Sequence, residues 1–123
     1  MDIKKLNKVI EEVQGDLGKA LLSTDIWAAA DGQSIAGYNS NPTAAALMNR
    51  VSQELMESTT AAEFPSLDKY YILELKEGKM LICLLFGDYQ WGMLLDAKRI
   101  QLGLLLNVIA PRCFEGFNAA LSG

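Results

Sequence analysis

From Met80 to Phe86 the chain runs through seven apolar residues without interruption, with a glycine-containing turn signal on either side. A run so short, and so rich in branched and aromatic side chains, predicts a strand covered on both faces, because a half-exposed strand would alternate. A strand of that kind needs helices in two layers, and the pattern elsewhere supplies three candidates. From Ile3 to about Leu22, apolar residues fall at Ile3, Leu6, Val9, Ile10, Val13, Leu17, Ala20 and Leu21, the three- and four-residue spacing of an amphipathic helix. Gly15 and Gly18 weaken that helix or admit a neighbouring backbone. Asn41-Pro42 opens a second helix, with the Asn able to accept from an orphan N–H and the Pro preset for the first helical position. Its predicted core stripe is Ala44, Leu47, Met48, Val51 and Leu55; a flanking strip of Ala45, Ser52 and Met56 either widens that stripe or meets a partner. Arg50, Gln53, Glu54 and Glu57 fall on the remaining, wet side.

The strands frame these helices. Thr24 to Ala30 leads into Asp31-Gly32 and returns through Gln33 to Tyr38, a hairpin pattern. Ser34, Gly37 and Asn39 suit its second strand to a sheet edge. Asp68 to Lys76 is a third strand in which Tyr71, Leu73 and Leu75 alternate with Tyr70, Ile72, Glu74 and Lys76, again an edge pattern, and it turns through Gly78 into the central run. Gly87 to Gln90 then leads into a fifth strand, Trp91 to Asp96, where Asp96 is placed to cap a last, heavily buried helix from about Ala97, kinked or interrupted at Pro111. The order helix, strand, strand, helix, strand, strand, strand, helix predicts an α/β (α+β) domain: one mostly antiparallel five-stranded sheet with helices on both faces, spanning residues 1–123.

Composition narrows the function more by exclusion than by assignment. Eleven Lys and Arg against 15 Asp and Glu give a net charge of −4, with cations scattered, which argues against nucleic acid or an anionic membrane as partner. No signal-like apolar segment or membrane-spanning run is present, and two separated cysteines, Cys83 and Cys113, suit core thiols in a reducing compartment, so a cytoplasmic location is expected. The chain contains no His, which removes the Ser-His-Asp and Cys-His constellations and the commonest metal ligand together. No phosphate-binding glycine loop is present, and no cofactor is expected. Asp25, Asp31 and Asp96 lie at strand ends, where capping and turn formation account for them.

Asp31-Gly32 followed by Ile35-Ala36, the helix through Leu47 and Met48, the Gly78 turn into an apolar strand, and Leu102-Gly103-Leu104 near the last helix together resemble the Roadblock family, the dynein light chain-like domains that in prokaryotes occur beside Ras-like GTPases. The resemblance extends over nearly the whole chain and is carried by element order and length; Pro111 departs from it. It implies a profilin-like sheet of order 2-1-5-4-3, whose edges agree with those read from polarity. It also implies a homodimer joined through the third strands and second helices, here Tyr71, Leu73 and Leu75 with Ala45, Ser52 and Met56. The implied function is that of a non-catalytic adaptor or regulator of a small Ras-like GTPase, which would meet the outer helix face at Asn49, Arg50, Gln53 and Glu57. The alternative is a small-molecule sensor of profilin-, PAS- or GAF-like architecture, with a ligand enclosed between sheet and helix.

Overall fold

The computed structural model describes residues 1–122. Helix α1 (Ile3–Leu17) is capped by the Asp2 carboxylate, which accepts from the amides of Lys4 and Lys5, and it buries Leu6, Val9, Ile10, Val13 and Leu17. It stops five residues before the apolar periodicity does, because Gly18 takes a positive φ of 55°, a conformation open to glycine at little cost. A tight turn at Gly18–Ala20 then delivers Leu21 and Leu22 to β1 (Leu21–Ala28) rather than to the helix. No other backbone uses the space beside Gly15 or Gly18. The return strand β2 (Ser34–Tyr38) follows a loop in which Gly32 has φ of 73° and sits close against Ala46 and Asn49, so this turn is packed under the next helix.

That helix, α2 (Pro42–Ala61), is capped by Asn41, whose side chain accepts from the Ala44 amide. β3 (Tyr70–Leu75), β4 (Lys79–Leu85) and β5 (Tyr89–Asp96) complete the sheet. Its order is β2-β1-β5-β4-β3, as expected, and every pairing, not merely most, is antiparallel. β4 alternates across the sheet: Met80, Ile82 and Leu84 enter the larger core with α1 and the last helix, while Cys83 enters the smaller core with Trp27, Ala45 and Tyr71 beneath α2, with Leu81 and Leu85 packed against it. Helices therefore cover both faces.

Asp96 caps only a short turn, Ala97–Arg99, and the final helix begins later than expected, as α3 (Leu102–Leu104). It continues through a wide π turn, Leu105–Ile109, into α4 (Ala110–Ser122). The π turn lies just before Pro111, which lacks an amide hydrogen and whose ring crowds the carbonyl four residues earlier; a five-residue turn relieves that crowding without breaking the rod. The expectation of a heavily buried final helix holds for Leu105, Ile109, Cys113 and Phe117, whereas Leu102, Leu104 and Val108 are exposed.

Candidate interaction surface

The sheet ends at β3, which pairs only with β4, so one side of its backbone is open. Beside that margin lies α2, and its orientation reverses the expected one. Ala45, Asn49 and Ser52 face the sheet and are buried, with Met56 half-buried next to them; Leu47 and Val51, assigned to the core by periodicity, are 52% and 37% exposed. Two sets of interface residues are thus corrected. Ala45 and Ser52 are packed against the chain's own sheet and present no contact surface, and Asn49 is equally withdrawn from any partner. Tyr71 is buried by its own α2, whereas Leu73 is half-buried and Leu75 is 41% exposed at the open margin. Arg50, Gln53 and Glu57 are on the exposed side of α2, where they were expected.

Polar chemistry explains the reversal. Trp27 Nε1 donates to Asn49 Oδ1 (3.2 Å) and to Gln90 Oε1 (3.1 Å), and the Asn49 amide nitrogen donates to the Ala29 carbonyl (3.1 Å). Ser52 Oγ lies 2.6 Å from the Tyr71 hydroxyl, 3.1 Å from the Met48 carbonyl it donates to, and 3.8 Å from Cys83 Sγ. A buried indole N–H or phenol left unpaired costs about 1–3 kcal/mol, so the face of α2 that satisfies Trp27 and Tyr71 turns inward in preference to a more apolar one. The N-terminal end of α2 is fixed by Asp25, a buried carboxylate on β1 that accepts from Ser34 Oγ (2.7 Å), Ser40 Oγ and the Asn41 amide (2.9 Å). Asp25 is therefore a structural latch between hairpin and helix.

One uncovered flank of α2 is apolar. Ala44, Leu47, Val51 and Leu55 run along its side, and a cleft of about 250 Å³ between the helix and the sheet is lined by Trp27, Ala45, Leu47, Met48, Leu81 and Leu94. Among the described residues no group of three or more His, Cys, Asp or Glu could hold a metal ion. Nor is any helix among them long and apolar enough to cross a membrane.

Both thiols are buried and unreactive in character. Burial, only partly offset by hydrogen bonds to Tyr71 and Ser52, pushes Cys83 up from 9.0 to about 11. Burial and then the nearby Asp16 charge push Cys113 to about 12. Tyr71 is raised as well, first by burial and then by Cys83, with the Ser52 hydrogen bond opposing. Above pH 9.0 the unfolded chain sheds thiol protons that the native chain keeps, which favours unfolding. Stability set by these groups should be level below that pH and fall as pH climbs toward 11 and 12, as measured by urea midpoints across an alkaline series. Iodoacetamide at neutral pH should modify neither cysteine until denaturant is added.

Solved structures share this arrangement. MglB from Myxococcus xanthus superposes with a TM-score of 0.82 over 100% of both chains at 16% identity. The fold is that of a Roadblock/LC7 domain. A Roadblock/LC7 domain from Streptomyces avermitilis matches at 0.69 over 99% of this chain and 97% of its own, with 12% identity. A profilin from Acanthamoeba castellanii, profilin IB, matches at 0.61 over 89% and 94%, with 15% identity. No family model and no curated protein matches the sequence. At these identities the likeness is one of fold; on that fold this chain has an open β3 margin and an apolar flank on α2.

Proposed function

We propose that the chain is a non-catalytic, homodimeric adaptor or regulator of a small Ras-like GTPase. The observation that carries this reading is the open β3 backbone beside an α2 flank exposing Leu47 and Val51, on a Roadblock fold. Apolar side chains of that size in one strip, adjoining an unpaired strand, are stabilised by a partner that supplies both a strand and an apolar surface, and a second copy has both. The Roadblock resemblance implies the same dimer and a GTPase as its client. Arg50, Gln53 and Glu57, on the outer face of α2, are the residues left for that client.

Two of the three arginines are engaged on their own surface, Arg99 with Asp96 and Arg112 with Asp16, both at 3.3 Å. None of Arg50, Arg99 and Arg112 has a sequence context that marks an arginine finger, so any effect on hydrolysis is expected to work by arranging the GTPase's own residues. The cleft beneath α2 favours a sensor as second reading, but it opens onto the strip that a second copy would cover.

The test is direct. Light scattering should give twice the chain mass, and each purified small Ras-like GTPase of the source cell should be titrated in its GDP form and with a non-hydrolysable GTP analogue. At least one should bind with preference for one nucleotide state and change its hydrolysis or exchange rate on binding. A monomer, or a dimer indifferent to every such GTPase and carrying a tightly held small molecule, would overturn the proposal and favour the sensor.

A further inference from the structure

One buried side-chain donor has no partner. Gln90, on β5 and 1% exposed, turns its amide oxygen to the Trp27 indole N–H (3.1 Å), while its nitrogen, Nε2, meets no acceptor among the described residues. Turning the amide over would set that nitrogen against the indole N–H, donor to donor, so the bond to Trp27 fixes which end is left over. An amide nitrogen buried without an acceptor costs about 1–3 kcal/mol, and folded chains seldom leave one unpaired. The missing acceptor is then supplied from outside the chain.

Room for an occupant is adjacent. Gln90 is the most deeply buried wall residue of a cleft of about 360 Å³, formed by the last turns of α2, the connection into β3 and the β4–β5 turn. Small-ligand sites commonly have volumes of about 300–1,000 Å³. This cleft shares no lining residue with the one between α2 and the sheet at Trp27. With the oxygen turned to Trp27, which borders that other cleft, Nε2 is directed the opposite way, toward the cleft whose wall Gln90 forms. The walls are tied together, since the Lys69 carbonyl accepts from the Leu85 amide (2.8 Å) and holds the connection against β4.

The lining selects the occupant's chemistry. Thr59 spends its hydroxyl hydrogen on the carbonyls of Leu55 (2.8 Å) and Met56 (3.1 Å), and Thr60 spends its own on Met56 (2.9 Å), so both oxygens are left to accept. Asp68 adds an exposed carboxylate, and among the described residues no Lys or Arg lines the cleft. Met56, Leu67 and Leu85, all half-buried, supply apolar wall. An anion would meet lone pairs and a carboxylate with no cation to offset them, and a wholly apolar body would leave Nε2 unpaired. We propose that this cleft binds a small uncharged molecule of amide type. Its carbonyl oxygen accepts from Gln90 Nε2, its N–H groups donate to the oxygens of the rim, Thr60 and Asp68 among them, and its apolar part lies on Met56, Leu67 and Leu85. The site stands apart from the GTPase reading, since it uses neither the exposed strip of α2 nor Arg50, Gln53 and Glu57.

Benzamide, benzoate and toluene share one ring and differ in the group it carries, which makes them the probes. On the ¹⁵N-labelled full chain, benzamide should move the Gln90 side-chain amide signals and bind about fivefold or more tightly than either of the others. Gln90→Met removes the donor at similar length, and Trp27 keeps its bond to Asn49; this variant should bind benzamide no better than toluene. Thr60→Val combined with Asp68→Ala, both on the exposed rim, should weaken benzamide by about fivefold with the fold intact by circular dichroism. If Gln90→Met does not fold, the rim variant decides. Benzoate binding as tightly as benzamide would overturn the proposal, as would benzamide affinity unchanged in either variant. A Gln90 amide signal unmoved by tens of millimolar benzamide, with a cross-peak to bound water in its place, would assign the cleft to water alone and overturn it too.

Discussion

Gly92→Val should destabilise the fold by about 3 kcal/mol or more and abolish dimerisation with it. A side chain at this position begins inside the Trp27 indole: a Cβ would stand 2.7 Å from Cη2 and 2.8 Å from Cζ3. The ring borders the cleft beneath α2 but is tethered away from it. Its Nε1 is held by Asn49 on α2 and Gln90 on β5, and the residue is 1% exposed. Displacing it breaks both bonds, leaves Asn49 Oδ1 without a donor and Gln90 Oε1 with only the long contact from Cys83 Sγ (4.0 Å), and lifts α2 from the sheet. Overpacking alone costs ~1–3 kcal/mol, and each orphaned group adds about 1–3 kcal/mol. That total is a large share of the roughly 5–15 kcal/mol that holds a domain together. Because α2 carries the exposed strip, the dimer should fail at concentrations where the subunit still folds, a loss that sedimentation and urea titration would register separately. A folded Gly92→Val chain dimerising at wild-type affinity would show that Trp27 does not set the position of α2.

The same tryptophan explains where the sequence is legible and where it is not. Strand order, both edges and the two covered faces follow from patterns with one physical meaning. Unbroken apolar runs are buried twice, and strands that mix Ser, Gly or charge with apolar residues lie at margins, as β2 and β3 do. The orientation of α2 has no such signature. Periodicity marks Ala44, Leu47, Met48, Val51 and Leu55 as a face that avoids water, but it does not distinguish burial by the chain's own sheet from burial by another molecule. The deciding groups are Trp27 and Tyr71, distant in sequence, whose polar atoms meet Asn49 and Ser52 opposite them. A polar pair such as Asn49 and Ser52, spaced three apart on a helix and accompanied by an unassigned strand tryptophan, is the available signal for an inward polar face. The end of α1 and the start of the last helix differ from the periodicity for a simpler reason: apolar residues continue the helical period past Gly18 and before Leu102, while backbone geometry at Gly18 and Ile100 interrupts it.

On the opposite face the expected outcome divides differently. Phe117 is fully buried and stands 4.1 Å from the ring centroid of Phe86, 5.9 Å from that of Tyr89 and 6.4 Å from that of Trp91, so it anchors α4 to the β4–β5 turn and to the sheet at once. Phe117→Ala leaves a cavity among rings that the flanking strands hold in place, a change that costs about 3–5 kcal/mol. The urea midpoint should fall accordingly, with the slope of the transition unchanged. Dimerisation should nevertheless persist under native conditions, because the aromatic cluster belongs to the core under α1 and α4, and the sheet separates it from α2. Stability of a dimer rises with protomer concentration, so the comparison with Gly92→Val is made at one fixed concentration. Two variants of similar cost, one losing the dimer and one keeping it, would locate assembly on the α2 face. If Phe117→Ala instead dissociated the dimer while the subunit stayed folded, the sheet would be transmitting strain between its faces, and assignment of assembly to α2 alone would fail.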